Sequence, residues 1–92
     1  MTVTIKLPTV LRPHAGGEKQ VEAAGATVGE AIGDLVGRYP ALQEQLFETG
    51  GSSLRRFVNV YVNDDDIRYM GGLDAGVADG DRVTILPAVA GG

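Results

Sequence analysis

The sequence predicts an α+β domain in which a mixed sheet of four to five strands carries one main helix across one face. Three observations lead there. Thr2 to Leu7 alternates polar and apolar residues, the period-two signature of a strand with one buried side. Val28, Ile32, Leu35, Val36 and Tyr39 recur at helical spacing, which makes one apolar stripe. Two further alternations, Val58-Val60-Val62 and Val83-Ile85, come after that helix. One helix cannot cover both faces of a sheet. One face therefore packs on the helix, and the other meets solvent or a partner.

The first strand places Val3, Ile5 and Leu7 on one face. Pro8 and then Pro13-His14-Ala15-Gly16-Gly17 interrupt it, and the glycines mark a turn. Glu18 to Ala23 reads as a weaker strand with Val21 as its apolar member, forming a hairpin with the first. Thr27 followed three residues later by Glu30 is a capping box. Pro40 ends the helix, because the residue before a proline is pushed out of the helical region. Leu42, Leu46 and Phe47 suggest one more helical turn, and Glu48 to Ser53 a polar loop. Leu54 to Asn63 is a strong strand, with Val58, Val60 and Val62 on one face and Phe57, Asn59 and Tyr61 on the other. Asn63-Asp64-Asp65-Asp66 is a turn, Ile67 to Met70 a short edge strand, and Val77 to Asp81 a turn of Asp-Gly type. Arg82 to Pro87 is the last strand. Terminal strands lying side by side in mid-sheet with a helix across them make the β-grasp (ubiquitin-like) arrangement. Residues 1–86 form that domain, and residues 87–92 form a flexible tail ending in Gly-Gly.

Composition excludes several functions. Ninety-two residues fit one domain. The net charge is -4, with Lys6 and Lys19 the only lysines and the arginines scattered. No basic stripe is available to neutralise phosphates, so nucleic-acid binding is not expected. An acidic membrane surface would repel the chain. The absence of cysteine removes disulfides, thiolate metal sites and cysteine nucleophiles together. Met1 to Leu7 alternates instead of forming a signal peptide. No apolar run approaches the ~20 residues of a membrane helix. A cytoplasmic protein is the expectation, monomeric when free.

No catalytic constellation emerges. His14 is the single histidine and lies in a proline- and glycine-rich loop without partners. Asp64-Asp65-Asp66 lacks the glycine and distal glutamate of a calcium loop. No metal site and no nucleotide-binding glycine pattern is predicted. Phe57, Tyr61 and Leu86 instead fall on the non-core faces of neighbouring strands, near the root of the tail. They predict an exposed apolar patch for a partner, with Arg55 and Arg56 beside it.

The chemistry points to the tail, Pro87-Ala88-Val89-Ala90-Gly91-Gly92. A free C-terminal carboxylate, with a pKa of about 3.5, is ionised at neutral pH and a poor electrophile. Glycines have no Cβ, so Gly91 and Gly92 can enter a narrow tunnel in torsions closed to other residues. Ala88, Val89 and Ala90 carry no nucleophile that would compete for an activated carbonyl.

These residues resemble a known family. Val60-Tyr61-Val62-Asn63, the Asp79-Gly80-Asp81 turn, the apolar strand Arg82 to Leu86 and the terminal Gly91-Gly92 occur in the order found in ubiquitin-like sulfur carrier proteins, the ThiS/MoaD family. Pro8-Thr9-Val10-Leu11-Arg12-Pro13-His14 and Leu86 to Gly92 are similar to the cysteine-biosynthesis branch of actinobacteria. The resemblance implies a carrier that is not itself an enzyme and binds no cofactor. A ubiquitin-activating-type adenylating and sulfurtransferase enzyme would use ATP to adenylate Gly92. Sulfide or persulfide sulfur would then displace AMP and leave a thiocarboxylate. The implied partners downstream are a pyridoxal-phosphate-dependent cysteine synthase acting on O-phosphoserine and a zinc-dependent (JAMM-type) peptidase. A thiosugar synthase is another acceptor the resemblance allows. The alternatives within the same fold are the small subunit of molybdopterin synthase and a ubiquitin-like protein modifier.

Overall fold

The structure is a computed structural model that describes residues 2–48, 54 and 58–87. The elements run β1 (Thr2–Lys6), a 3₁₀ segment (Thr9–Ala15), β2 (Gln20–Ala24), α1 (Val28–Arg38), α2 (Leu42–Leu46), β3 (Val58–Val62), β4 (Asp65–Asp66), two short 3₁₀ turns (Ile67–Tyr69 and Gly72–Asp74) and β5 (Arg82–Pro87). The sheet order is β2-β1-β5-β3-β4. β1 and β5 are parallel, and the other neighbours are antiparallel. The first and last strands thus sit side by side in the middle of the sheet, as the β-grasp arrangement requires.

The core lies between the sheet and α1. Val3 and Ile5 from β1, Val21 and Ala23 from β2, Val60 and Val62 from β3, and Val83 and Ile85 from β5 are all buried. From the helix side Val28, Ala31, Ile32 and Leu35 meet them. Val36 and Tyr39, at the edge of the helical stripe, are only partly buried. The capping box forms in a stretched version. Thr27 Oγ1 accepts from the Glu30 N–H at 3.1 Å, while Glu30 Oε1 reaches back to the Ala26 N–H at 2.9 Å. The helix ends at Arg38, two residues before Pro40.

Four expectations are corrected. Residues 9–15, read as an interruption, form a 3₁₀ segment that buries Leu11 and Ala15, and Gly16 closes it at φ 65°. The second strand starts at Gln20 instead of Glu18. Gly16 and Gly17, both at positive φ, and the Glu18 N–H to Ala15 carbonyl bond hold the preceding residues in the turn. The edge strand is Asp65–Asp66, and Ile67–Tyr69 is a 3₁₀ turn. There the Asp66 carboxylate accepts from the Arg68 N–H at 2.9 Å and bends the chain, and Ile67 is buried beneath it. The long strand from Leu54 stops at Val62, because Asn63 turns at φ 57°. Leu54 itself makes an isolated bridge with Phe47. β5 runs over Arg82–Pro87, the bounds read from the sequence, with Pro87 opposite Val58.

Candidate functional site: strand β5 and the open sheet face

β5 is gripped at its start. Asp79 Oδ1 accepts from the Thr2 N–H at 2.9 Å, and the Gly80 N–H donates to the Thr2 carbonyl at 2.8 Å. Asp81 Oδ2 accepts from the Ala78 N–H at 2.8 Å, which closes the turn on itself. Gly80 stands at φ 88°, a conformation that favours glycine. On the other side, the Asn63 N–H donates to the Arg82 carbonyl at 2.7 Å and the Arg82 N–H donates to Asn63 Oδ1 at 3.1 Å. Two neighbouring strands therefore hold the first residue of β5 and the turn before it. The sequence showed Asn63 and Asp79-Gly80-Asp81 as turns and as marks of resemblance, but not that they hold β5. The visible signal for that role was an asparagine opening an acidic turn, a residue type that tolerates φ > 0.

From that clasp β5 runs through the middle of the sheet and ends at Pro87, opposite Val58 at the start of β3. Its odd-numbered residues Val83 and Ile85 are buried. Thr84 and Leu86 face the uncovered side, where Leu86 is 45 % exposed. In the β3–β5 register Tyr61 lies opposite Thr84 and Asn59 opposite Leu86. Tyr61 and Leu86 are thus diagonal neighbours on one face. They floor a shallow recess of about 250 Å³, with Asn63, Asp64 and Thr84 completing its lining. Of the predicted patch, the fold brings Tyr61 and Leu86 together. Phe57 and Arg55 lie outside the described residues, as do Ala88, Val89, Ala90, Gly91 and Gly92.

Charge around the recess is mixed. Lys6 stands beside Thr84 in the parallel β1–β5 register. Asp66, opposite Tyr61, is held by Arg68, with Nη2 to Oδ2 at 2.7 Å. The Arg68 hydrogen bonds keep the Asp66 carboxyl below its usual range, and the same contact raises the guanidinium. Among the described residues no group of His, Asp or Glu side chains gathers to hold a metal ion. Nor is any described helix long and apolar enough to cross a membrane. The arrangement is a shallow, partly apolar recess on the uncovered face, beside a firmly anchored strand.

Comparison with known proteins places this geometry. The profile of the ThiS family matches residues 5–92. The chain belongs to the ThiS family. It is 55 % identical to the sulfur carrier protein CysO of Mycobacterium tuberculosis over 93 aligned positions, covering all of both chains. A chain in the crystal structure of the Amycolatopsis orientalis BexX/CysO complex is 57 % identical, with a TM-score of 0.88 over 98 % of this chain and 99 % of that one. The small archaeal modifier protein SAMP1 of Haloferax volcanii is 32 % identical, with a TM-score of 0.84 and full coverage of both. In sequence this chain stands much nearer to these two CysO proteins than to the modifier. The fold it shares with both is the ubiquitin-like β-grasp read from the strand order.

Proposed function

We infer that this chain is a sulfur carrier that transports sulfur as a thiocarboxylate on Gly92. The observation that carries the reading is the 55 % identity with a CysO sulfur carrier along the entire length of both chains. The anchored β5 supports it, because that strand leads directly into the segment that ends in Gly91-Gly92. An activating enzyme of the ubiquitin-activating type condenses the Gly92 carboxylate with ATP and releases pyrophosphate. The acyl adenylate is neutral at the carbonyl and can be attacked. Hydrosulfide adds to that carbon, the C–O bond to AMP breaks, and AMP leaves with the electron pair. The product is the Gly92 thiocarboxylate.

The acceptor we propose is a cysteine synthase that uses pyridoxal phosphate and O-phosphoserine. There the thiocarboxylate sulfur adds to an aminoacrylate, an acyl shift leaves cysteine amide-linked to Gly92, and a JAMM-type zinc peptidase hydrolyses that bond. A thiosugar synthase is a second acceptor compatible with the same thiocarboxylate. The chain does not catalyse these steps. It presents the carboxylate, and the Tyr61–Leu86 face provides the recognition.

The test is mass spectrometry of the intact chain and its C-terminal fragments after incubation with the host's activating enzyme, ATP and sulfide. The expected result is one oxygen replaced by sulfur on Gly92, trappable with a thiol alkylator. Localisation to the last residues separates it from oxidation of Met1 or Met70. An unmodified tail, alongside an enzyme competent on another carrier, would overturn the reading.

A further inference from the structure

The edge of a sheet is a row of unpaired amides and carbonyls that another chain can continue. β2 is one of the two edges of this sheet. The Leu7 N–H donates to the Lys19 carbonyl at 2.9 Å, and the antiparallel register then turns the main chain of Val21 and Ala23 toward β1. By the alternation of an antiparallel ladder, the backbone groups of Gln20, Glu22 and Ala24 point away from the sheet.

Two of those outward groups are occupied by side chains from α1. The Ala24 N–H donates to Asp34 Oδ2 at 2.9 Å. Arg38 Nη2 donates to the Glu22 carbonyl oxygen. The same Arg38 nitrogen lies 3.3 Å from the same Asp34 oxygen, one helical turn away. The two side chains hold each other while covering one donor and one acceptor of the edge. Both remain well exposed, at 46 % and 41 %, and an exposed ion pair of this kind contributes little by itself. Its placement across the edge is what distinguishes it. Glu22 adds a second obstacle, because two copies of β2 paired antiparallel about that residue would set like charges opposite each other.

We propose that the Asp34–Arg38 pair bars the β2 edge against a second copy of this chain. It thereby keeps the sheet from growing by β2–β2 addition. The proposal rests on the geometry of the edge alone and does not depend on the sulfur-carrier reading.

The test starts from Glu22→Thr, which removes the like-charge opposition and keeps the pair. To it is added the double substitution Asp34→Ala/Arg38→Ala. Sedimentation velocity is recorded over a concentration series, with hydrogen exchange of the Ala24 amide followed by NMR. Glu22→Thr alone is expected to stay monomeric with a protected Ala24 amide. The triple variant is expected to self-associate with rising concentration. When dilute, its Ala24 amide should exchange at least about tenfold faster, as an uncovered edge amide does. A charge-swapped triple variant, Glu22→Thr with Asp34→Arg/Arg38→Asp, keeps an ion pair on the helix but puts no acceptor beside Ala24. It too is expected to associate. Association of Glu22→Thr alone would overturn the proposal, as would unlocked variants that remain monomeric at the highest concentration. Unchanged Ala24 protection would do the same. If both unlocked variants lose the fold by circular dichroism, the pair is a structural prop and the proposal fails.

Discussion

Asn63 and Asp81 are joined side chain to side chain: Asn63 Nδ2 donates to Asp81 Oδ1 at 3.3 Å. The same asparagine accepts from the Arg82 N–H through Oδ1, and the same aspartate accepts from the Ala78 N–H through Oδ2. Each thus uses both ends of its polar group, and together they tie the end of β3 to the start of β5.

Asn63→Ala is expected to destabilise the fold by about 1–3 kcal/mol, through lost hydrogen bonds and the strain of a Cβ at φ 57°. Asn63→Gly should lose less, because it keeps the backbone conformation. Urea unfolding of the two variants separates the two contributions, and equal losses would remove the conformational one.

The glycines of α1 carry opposite expectations. A Cβ at Gly33 or Gly37 would meet nothing within 4 Å. Alanine at either position is expected to stabilise the helix by about 0.5–1 kcal/mol. At Gly25 a Cβ would stand 2.6 Å from the Ala31 nitrogen, so alanine there must displace the start of α1 and is expected to destabilise. Thermal melts of Gly33→Ala and Gly25→Ala should shift in opposite directions.

We expect Leu86 and Tyr61 to serve recognition more than stability, because both face the uncovered side. Leu86→Glu is expected to leave the unfolding midpoint nearly unchanged. The kcat/KM for thiocarboxylation by the activating enzyme, or for transfer to an acceptor, should fall about tenfold or more, as for an interface anchor. A variant that reacts normally with every partner would remove this face from the recognition surface.

The Asp66 carboxyl should titrate below its ordinary value of 3.8, because the Arg68 hydrogen bonds favour the ionised form. A depressed carboxyl contributes stability that is present above the unfolded value and lost as pH falls through the folded one. At neutral pH the contribution is small, since the Arg68 end of the pair is largely exposed to solvent. Carboxyl NMR titration of Arg68→Ala is expected to return Asp66 upward. An unmoved titration would show that another group sets it.

The alternations of β1, β3 and β5 and the helical stripe of α1 were legible because burial of one face imposes its period on the residues. So was the resemblance to the ThiS family, carried by the closing turn and last strand, and the family match over residues 5–92 bears it out. The sheet order β2-β1-β5-β3-β4 agrees with the β-grasp arrangement read from the sequence, in which the terminal strands lie side by side. The local signals gave less where a side chain redirects the backbone. Asp66 folds Ile67–Tyr69 into a turn where apolar residues suggested a strand. Leu11 and Ala15 bury a segment whose prolines and glycines suggested an open loop. Only the tertiary structure showed that Asn63 and Asp81, 18 residues apart, anchor one strand. Only it placed Asp34 and Arg38 across the edge of β2. Such contacts join residues that no period relates, and they exist only after the sheet and helix have packed.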